Sequence, residues 1–236
     1  MKYSGGLAKK EREQIFKLFL DKVSLKFNEI EKAIKIRSNM IAYHLEKMIA
    51  EDILVKDGEH YCLTKTAEKY IPIVTHVTGE KMSPLPVMLV AVINKNQILL
   101  IKRNKRPYQG YWSMIGGKIN LEESFEEASK RIVKEKTALD TEFISMNSVL
   151  HERVADENVI KHSFIHFFTK MTAKGTNFKQ SEKGELKWFK ISNVAKEKII
   201  PSDLWLIKNK LNSKIAVKSA LMTDTHGELS SFKIIK

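Results

Sequence analysis

The spacing of apolar and polar positions changes character near residue 80. From Lys9, residues Ile15, Phe16, Leu18 and Phe19 make one apolar stripe among Lys and Glu, the pattern of an amphipathic helix. Asn28–Lys35 repeats it, with Ile30 and Ile34 facing inward. A third helix is expected from a Ser38 or Asn39 cap to about Ala50, because Ser and Asn side chains accept the free amides of a first turn. Its buried stripe reads Ile41, Leu45, Met48 and Ile49. Ile53–Lys56 and His60–Thr64 then flank Asp57-Gly58, a strong hairpin signal, and a further helix is expected over Lys65–Thr75.

The stretch His76–Pro86 carries Gly79, Ser83, Pro84 and Pro86 with little periodicity and reads as a connection. Beyond it, Val87–Ile93 and Ile98–Ile101 are β-rich runs joined by Asn94-Lys95-Asn96-Gln97. Strand character returns at Ser163–Met171 and Glu185–Phe189, and helical spacing at Glu123–Lys136 and Ser202–Leu211. In the tail, Ala216–Met222 and Leu229–Ile235 are strand-like around a Thr225-His226-Gly227 turn. The mixture predicts an α+β protein: a helical domain with a hairpin over residues 1–76, a linker over 77–86, and a mixed domain over 87–236 with a strand extension from about 214.

Composition narrows the function classes. A hydrophobic share of 43% supplies a globular core, and no apolar run reaches the roughly 20 residues that span a membrane. The opening residues lack the apolar stretch of a signal peptide, so a cytoplasmic location with no membrane partner is expected. The one cysteine, Cys62, has no partner for an internal disulfide, and no Cys/His cluster has zinc spacing. The net charge of +13 favours anionic partners. It is unevenly spread: residues 1–80 carry +2 and residues 81–236 carry +11.

Three helices followed by a hairpin is the order of a winged helix-turn-helix. Ser38–Met48 resembles the recognition helix of bacterial and archaeal winged-helix regulators, and Leu54–Thr64 resembles their wing. The resemblance implies DNA as a partner. Ser38, Asn39, Tyr43 and Lys47 lie off the apolar stripe, where a helix in the major groove reaches base edges. Arg37, Lys56 and His60 are candidates for phosphate contacts, while Asn39 and Tyr43 are candidates for reading bases. The competing reading makes this module a dimerisation surface.

The segment Trp112–Ser124 enters a second resemblance, to the Nudix box G-x5-E-x7-R-E-U-x-E-E-x-G-U, where U is aliphatic. Gly117, Glu123, Arg131, Val133, Glu135 and Leu139 match it; Ile132, Lys136 and Ala138 do not. Val90–Arg103 is similar to that family's first hairpin, Lys187–Ile191 to its late strand, and the helix after Pro201 to its closing helix. The resemblance implies an α/β/α sandwich with a mixed sheet. It also implies Mg²⁺ or Mn²⁺ as cofactor, held here by Glu135 and the Gly116 carbonyl, with Glu135 and Glu123 as the remaining candidates for catalysis.

The mismatches fall where hydrolysis is least forgiving. Ile132 replaces a carboxylate, and Lys136 inverts the charge beside Glu135. Binding without hydrolysis is therefore the expected behaviour. The candidates for a nucleotide or diphosphate ligand are Arg103, Arg106, Trp112, Gly116, Gly117, Arg131 and Lys136, with Lys102, Lys105 and Tyr111 nearby. Lys136 is a candidate to supply the charge of the absent metal. Acids outside the box that could restore activity are Glu152, Glu157, Glu182 and Glu185; His151, His162 and His166 read as structural, and Glu127 as part of a surface ion-pair row. The whole is similar to Nudix-related transcriptional regulators with the module order reversed, which implies a homodimeric, ligand-responsive DNA-binding protein. An active Nudix hydrolase is the alternative.

Overall fold

The structure is a computed structural model and describes residues 9–71, 83–180, 182–225 and 228–235. The chain forms two compact units, Met1–Ser83 and Pro84–Lys236.

In the first unit, helices α1 (Lys10–Leu18), α2 (Phe27–Ile34) and α3 (Ser38–Ala50) are followed by strands β2 (Leu54–Asp57) and β3 (His60–Leu63) and a short helix α4 (Lys65–Glu68). The apolar stripes meet in one core of Ile15, Phe16, Ile30, Ile41, Leu45 and Met48, closed by Leu54 and Tyr61 of the hairpin. Asp57 pairs with His60, which leaves Gly58 and Glu59 to make the turn. Gly58 has φ +58°, a left-handed conformation that costs a side chain but not glycine.

Four expectations are corrected here. A third strand, β1 (Ser24–Lys26), pairs with β3, although three residues with one buried side chain carry no readable period. The cap of α3 is Arg37, with no side-chain bond; the Ser38 hydroxyl hydrogen-bonds the Glu31 carboxylate instead. Ile49 is exposed, and His44 takes the inward position on α3 at 1% exposure. The helix expected over Lys65–Thr75 stops at Glu68, and residues 72–75 lie outside the described residues, as does most of the expected linker.

The second unit runs β4 (Leu85–Asn94), β5 (Gln97–Arg103), β6 (Trp112–Ser113), β7 (Ile115–Gly117), α5 (Phe125–Thr137), β8 (Thr141–Asp156), β9 (Val159–Ala173), β10 (Gly184–Lys190), a 3-10 segment (Ile191–Lys196) and α6 (Pro201–Lys210). A hairpin of β11 (Ser219–Thr225) and β12 (Glu228–Ile235) follows; the His226-Gly227 turn lies outside the described residues. Leu85 and Pro86, read as linker, already belong to β4. There β4 pairs on one side only, so a proline is tolerated.

The seven-stranded mixed sheet is ordered β10-β5-β4-β9-β8, with β6 on β5 and β7 on β4. Only β4 and β9 are parallel. Its near-continuous apolar strands make sense because both faces are covered. Met88, Val90 and Val92 face α5 through Ala128, Ile132 and Val133. Leu89, Ala91 and Ile93 face α6 through Leu206 and Ile207.

Strand β8, sixteen residues long, was not legible as a strand. Its pairing with β9 shifts register at three places, so Ser145 and Asn147 are buried while Ile144 and Val149 are exposed. Bulges of this kind break the period-2 alternation. The buried Asn147 amide has a purpose: it donates to the carbonyls of Lys210 (3.1 Å) and Leu211 (2.9 Å), which the end of α6 leaves open.

Candidate functional site

The box forms a loop and helix whose geometry follows from a few contacts. Ser124 caps α5: its hydroxyl accepts from Glu127 N at 3.2 Å, and Glu127 Oε2 accepts from Ser124 N at 2.9 Å. Glu127 is thus turned back to the cap rather than along an ion-pair row. Gly117 lies against the helix so closely that an added Cβ would stand 2.9 Å from Ile132. Ile132 itself is 1% exposed and belongs to the core under α5.

The acids of the box do not converge. Glu123 accepts from Arg131 Nη2 at 2.8 Å, from Arg131 Nε, and from Asn120 N at 2.9 Å. Those bonds, the Arg131 pair foremost, bring its carboxyl down to about 2. Arg131 also donates to the Lys118 carbonyl at 2.9 Å and lies 3.3 Å from Glu135. Glu123 and Arg131 therefore clamp loop to helix. Glu123 borders an open groove beside β11, in company with Glu122 and Glu126. Glu135 is half exposed and lines none of the cavities described below.

Lys136 points the other way. Its ammonium donates to the Gly116 carbonyl, and burial, reinforced by Lys183 and Arg103, pushes its pKa down to about 8. The Mg²⁺ or Mn²⁺ implied by the box does not fit this donor set. The carbonyl is taken by a cation, Ile132 is in the core, and Glu123 is saturated by Arg131. Among the described residues no group of three His, Cys, Asp or Glu side chains could hold a metal ion.

What the fold does build is a cavity of about 280 Å³ under β4 and β9, walled by Val87, Leu89, Pro107, Phe164 and Ile200. Arg103, Gly116 and Lys136 stand at one end and open onto a recess of about 340 Å³, where Lys105, Arg106 and Lys183 join them. The loops carrying these cations are tied together by Asn104 Nδ2, which donates to the Glu182 carbonyl at 2.8 Å. Arg103 Nε donates to the Pro107 carbonyl at 2.8 Å, which orients the guanidinium.

The other end is acidic and polar. Tyr108 donates to Glu152 Oε1 at 2.9 Å, and His166 Nε2 lies 3.5 Å from the same oxygen. Burial alone would raise Glu152, but the neighbouring His166, Ser202 and Tyr108 outweigh it and bring the carboxyl to about 2. Tyr108 is pushed upward by burial and by that carboxylate. His166 is 7% exposed, and among the described residues neither ring nitrogen has a partner in hydrogen-bond geometry. Asp203, fully buried, accepts from Met114 N at 2.7 Å, and burial raises it to about 6.

Of the expected ligand residues, the cavity and recess gather Arg103, Arg106, Gly116, Gly117 and Lys136, together with Lys105. Two are elsewhere. Arg131 is spent on the loop clamp, and Trp112 is a core residue whose ring meets Phe189 edge-on at 4.8 Å. Trp112 is shielded because the short strand carrying it pairs with β5 and bridges Ile199. Lys102 sits over Trp112, and Lys198 over Tyr111. Of the outlying acids only Glu152 reaches the cavity; Glu157, Glu182 and Glu185 are exposed. His151 is bound to Ser163 at 3.0 Å on the surface, and His162 is exposed. Tyr108, Lys183, Ser202 and Asp203 line the site without any motif to announce them.

In the first unit Arg37, Ser38, Asn39, Tyr43, Lys47 and Lys56 are all exposed. The Tyr43 ring lies between two ammonium groups, Lys9 at 5.7 Å and Lys47 at 5.9 Å.

Three solved structures are similar to the second unit. A MutT protein from Bacillus halodurans is 27% identical, covering 63% of this chain and 96% of its own, with a TM-score of 0.48. A NUDIX-family hydrolase from Clostridium perfringens is 18% identical over 56% and 98%, TM-score 0.45. The NUDIX domain of Shewanella oneidensis NrtR, solved with ADP ribose, is 18% identical over 62% and 96%, TM-score 0.46. A family profile described as the NUDIX domain matches residues 82–208, more than half of the sequence, and the chain belongs to the Nudix family.

Proposed function

We propose that this chain is a ligand-responsive transcription regulator. Its Nudix domain binds a nucleotide or another diphosphate-containing ligand without hydrolysing it efficiently. Its first unit acts as a winged helix-turn-helix on DNA, as one half of a homodimer. The observation that carries the ligand half is the convergence of Arg103, Lys105, Arg106, Lys136 and Lys183 on one recess, open to an apolar cavity, in a domain whose box acids are dispersed. Guanidinium and ammonium groups bind phosphate oxygens directly. An apolar cavity beside them suits the uncharged part of such a ligand.

The DNA half is supported by the exposed polar face of α3 and by Tyr43 between two lysines. Regulation then requires that the ligand bind the DNA-competent and DNA-incompetent states with different affinity. Gel-shift titration of the full chain on its own promoter fragments, with and without nucleotides, tests this directly. Binding should weaken steeply with salt. A shift that survives Asn39→Ala combined with Tyr43→Ala would count against α3 as the reading helix.

The alternative, an active hydrolase with an acid outside the box, is favoured by one observation: Glu152 is ionised on the cavity wall. Against it, the carboxylate is committed to Tyr108 and His166. Turnover of a nucleoside diphosphate panel with Mg²⁺ or Mn²⁺, abolished by Glu152→Gln or Glu135→Gln, would replace the sensor reading with an enzymatic one.

A further inference from the structure

We propose that Lys136 is a tethered cation standing in the place of the divalent metal, so that this domain holds a diphosphate group by ammonium and guanidinium contacts alone. The inference rests on the ligand reading above and assigns the means by which the charge is neutralised.

Three independent features lead to it. The Lys136 ammonium donates to the Gly116 carbonyl, the oxygen that the box resemblance assigns to a metal. A divalent ion on the same carbonyl would sit within a few ångströms of a positive charge, and two cations at such a separation repel strongly in a partly buried site. Next, the carboxylates that would offset a metal are engaged by protein groups: Glu123 and Glu135 by Arg131, and Glu127 by the α5 cap. Ile132 fills the remaining position with a core side chain.

Finally, the recess around Lys136 gathers Arg103, Lys105, Arg106 and Lys183 and includes no Asp or Glu among its lining residues. Partly burying one ammonium beside other cations is costly, because like charges repel where water is largely excluded. An anion seated among them relieves it. A diphosphate has the charge to do so, and Arg103 can offer it two parallel N–H donors where an ammonium offers a point charge.

The consequence is an inverted metal dependence. A metal-bound diphosphate carries less negative charge and brings a cation toward Lys136, so the free anion should be the better ligand. The test is titration calorimetry of the full chain with inorganic pyrophosphate, in EDTA and again in excess Mg²⁺. The wild type should bind in EDTA and bind more weakly in Mg²⁺. In EDTA, Lys136→Gln should weaken binding by about tenfold to a hundredfold, the range for one charged hydrogen-bonding partner. Lys136→Arg should stay within a few-fold of the wild type, and thermal melts of both variants check that each is folded.

Pyrophosphate binding that requires Mg²⁺ would overturn the role of Lys136 while leaving the ligand reading in place. So would a folded Lys136→Gln that binds like the wild type in EDTA. Absence of binding in both conditions would overturn the ligand reading itself, and this inference with it.

Discussion

The two ends of the Nudix cavity solve the burial of charge in opposite ways. At the polar end, Glu152 accepts from Tyr108 with His166 3.5 Å away, and Asp203 accepts from a backbone amide, so both carboxyl groups have neighbours inside the protein. At the cationic end, Lys136 donates to the Gly116 carbonyl, and Arg103 and Lys183 repel it more than Glu135 attracts it. Buried charges are normally paired. An end whose carboxyl groups have polar neighbours within the fold is equipped to position and discriminate, whereas an end that gathers like charges is suited to an anion. Under the proposed function, the contrast assigns the anionic part of a ligand to the cationic end and its uncharged part to the apolar walls between the two ends.

The sharpest way to break the contrast is to put an acid beneath the cationic end. Ile132→Glu restores the family's carboxylate in sequence but places it in the core at 1% exposure. It should destabilise the domain by about 4 kcal/mol or more, read as a large fall in the melting temperature. A stable variant that gained Mn²⁺ binding would show that α5 can turn its face to the cavity.

Asp203→Asn removes a charge from the opposite end while keeping an acceptor for Met114 N. Burial raises Asp203 from 3.8 to about 6. Its folded-state value exceeds the unfolded one, so its favourable contribution is complete below about pH 4 and is lost as the pH rises through about 6. The variant does not titrate there. It should match the wild type near pH 4 and exceed it at pH 7 by up to about 3 kcal/mol, with calorimetric melts at the two pH values as the check. An equal difference at both would show that Asp203 is held ionised.

Arg103→Ala weakens the cationic end and also removes the guanidinium 5.9 Å from the Tyr108 ring. Pyrophosphate affinity should fall by about tenfold to a hundredfold at low salt, with a smaller difference at high salt as screening takes over. An unchanged affinity would move the anion out of the recess.

The smallest effect is a control. Ala138 ends α5 with φ +61°, in the position where the box has glycine. Ala138→Gly should add about 0.5–1 kcal/mol to stability and leave pyrophosphate binding as it was.

Much of this was legible in residue spacing. The stripes of α1, α2 and α3 and the Asp57-Gly58 hairpin signal are local features, because a helix face or a tight turn is specified by neighbours in sequence, although the turn itself falls on Gly58 and Glu59. The box positions were equally readable: Ile132 and Lys136 announce the loss of acids on their own. β1 and β8 were not, since a three-residue strand has no period and β8 owes its existence to pairing with β9 across three register shifts.

Sequence alone therefore determined that Ile132 and Lys136 stand at two positions where the Nudix pattern has acids, and that positive charge accumulates in the second domain. It did not determine where each side chain of that box points. That Trp112 is core, that Glu123 and Arg131 spend themselves on a clamp, and that Lys136 reaches the Gly116 carbonyl were decided by packing α5 against the sheet. Tyr108, Glu152, His166, Lys183 and Asp203 come from five separate segments, and only the tertiary fold brings them to the cavity and its adjoining recess. Charge type is written in the residue; its partner is written in the fold, because hydrogen-bond and ionic contacts depend on distances of a few ångströms between segments far apart in the chain.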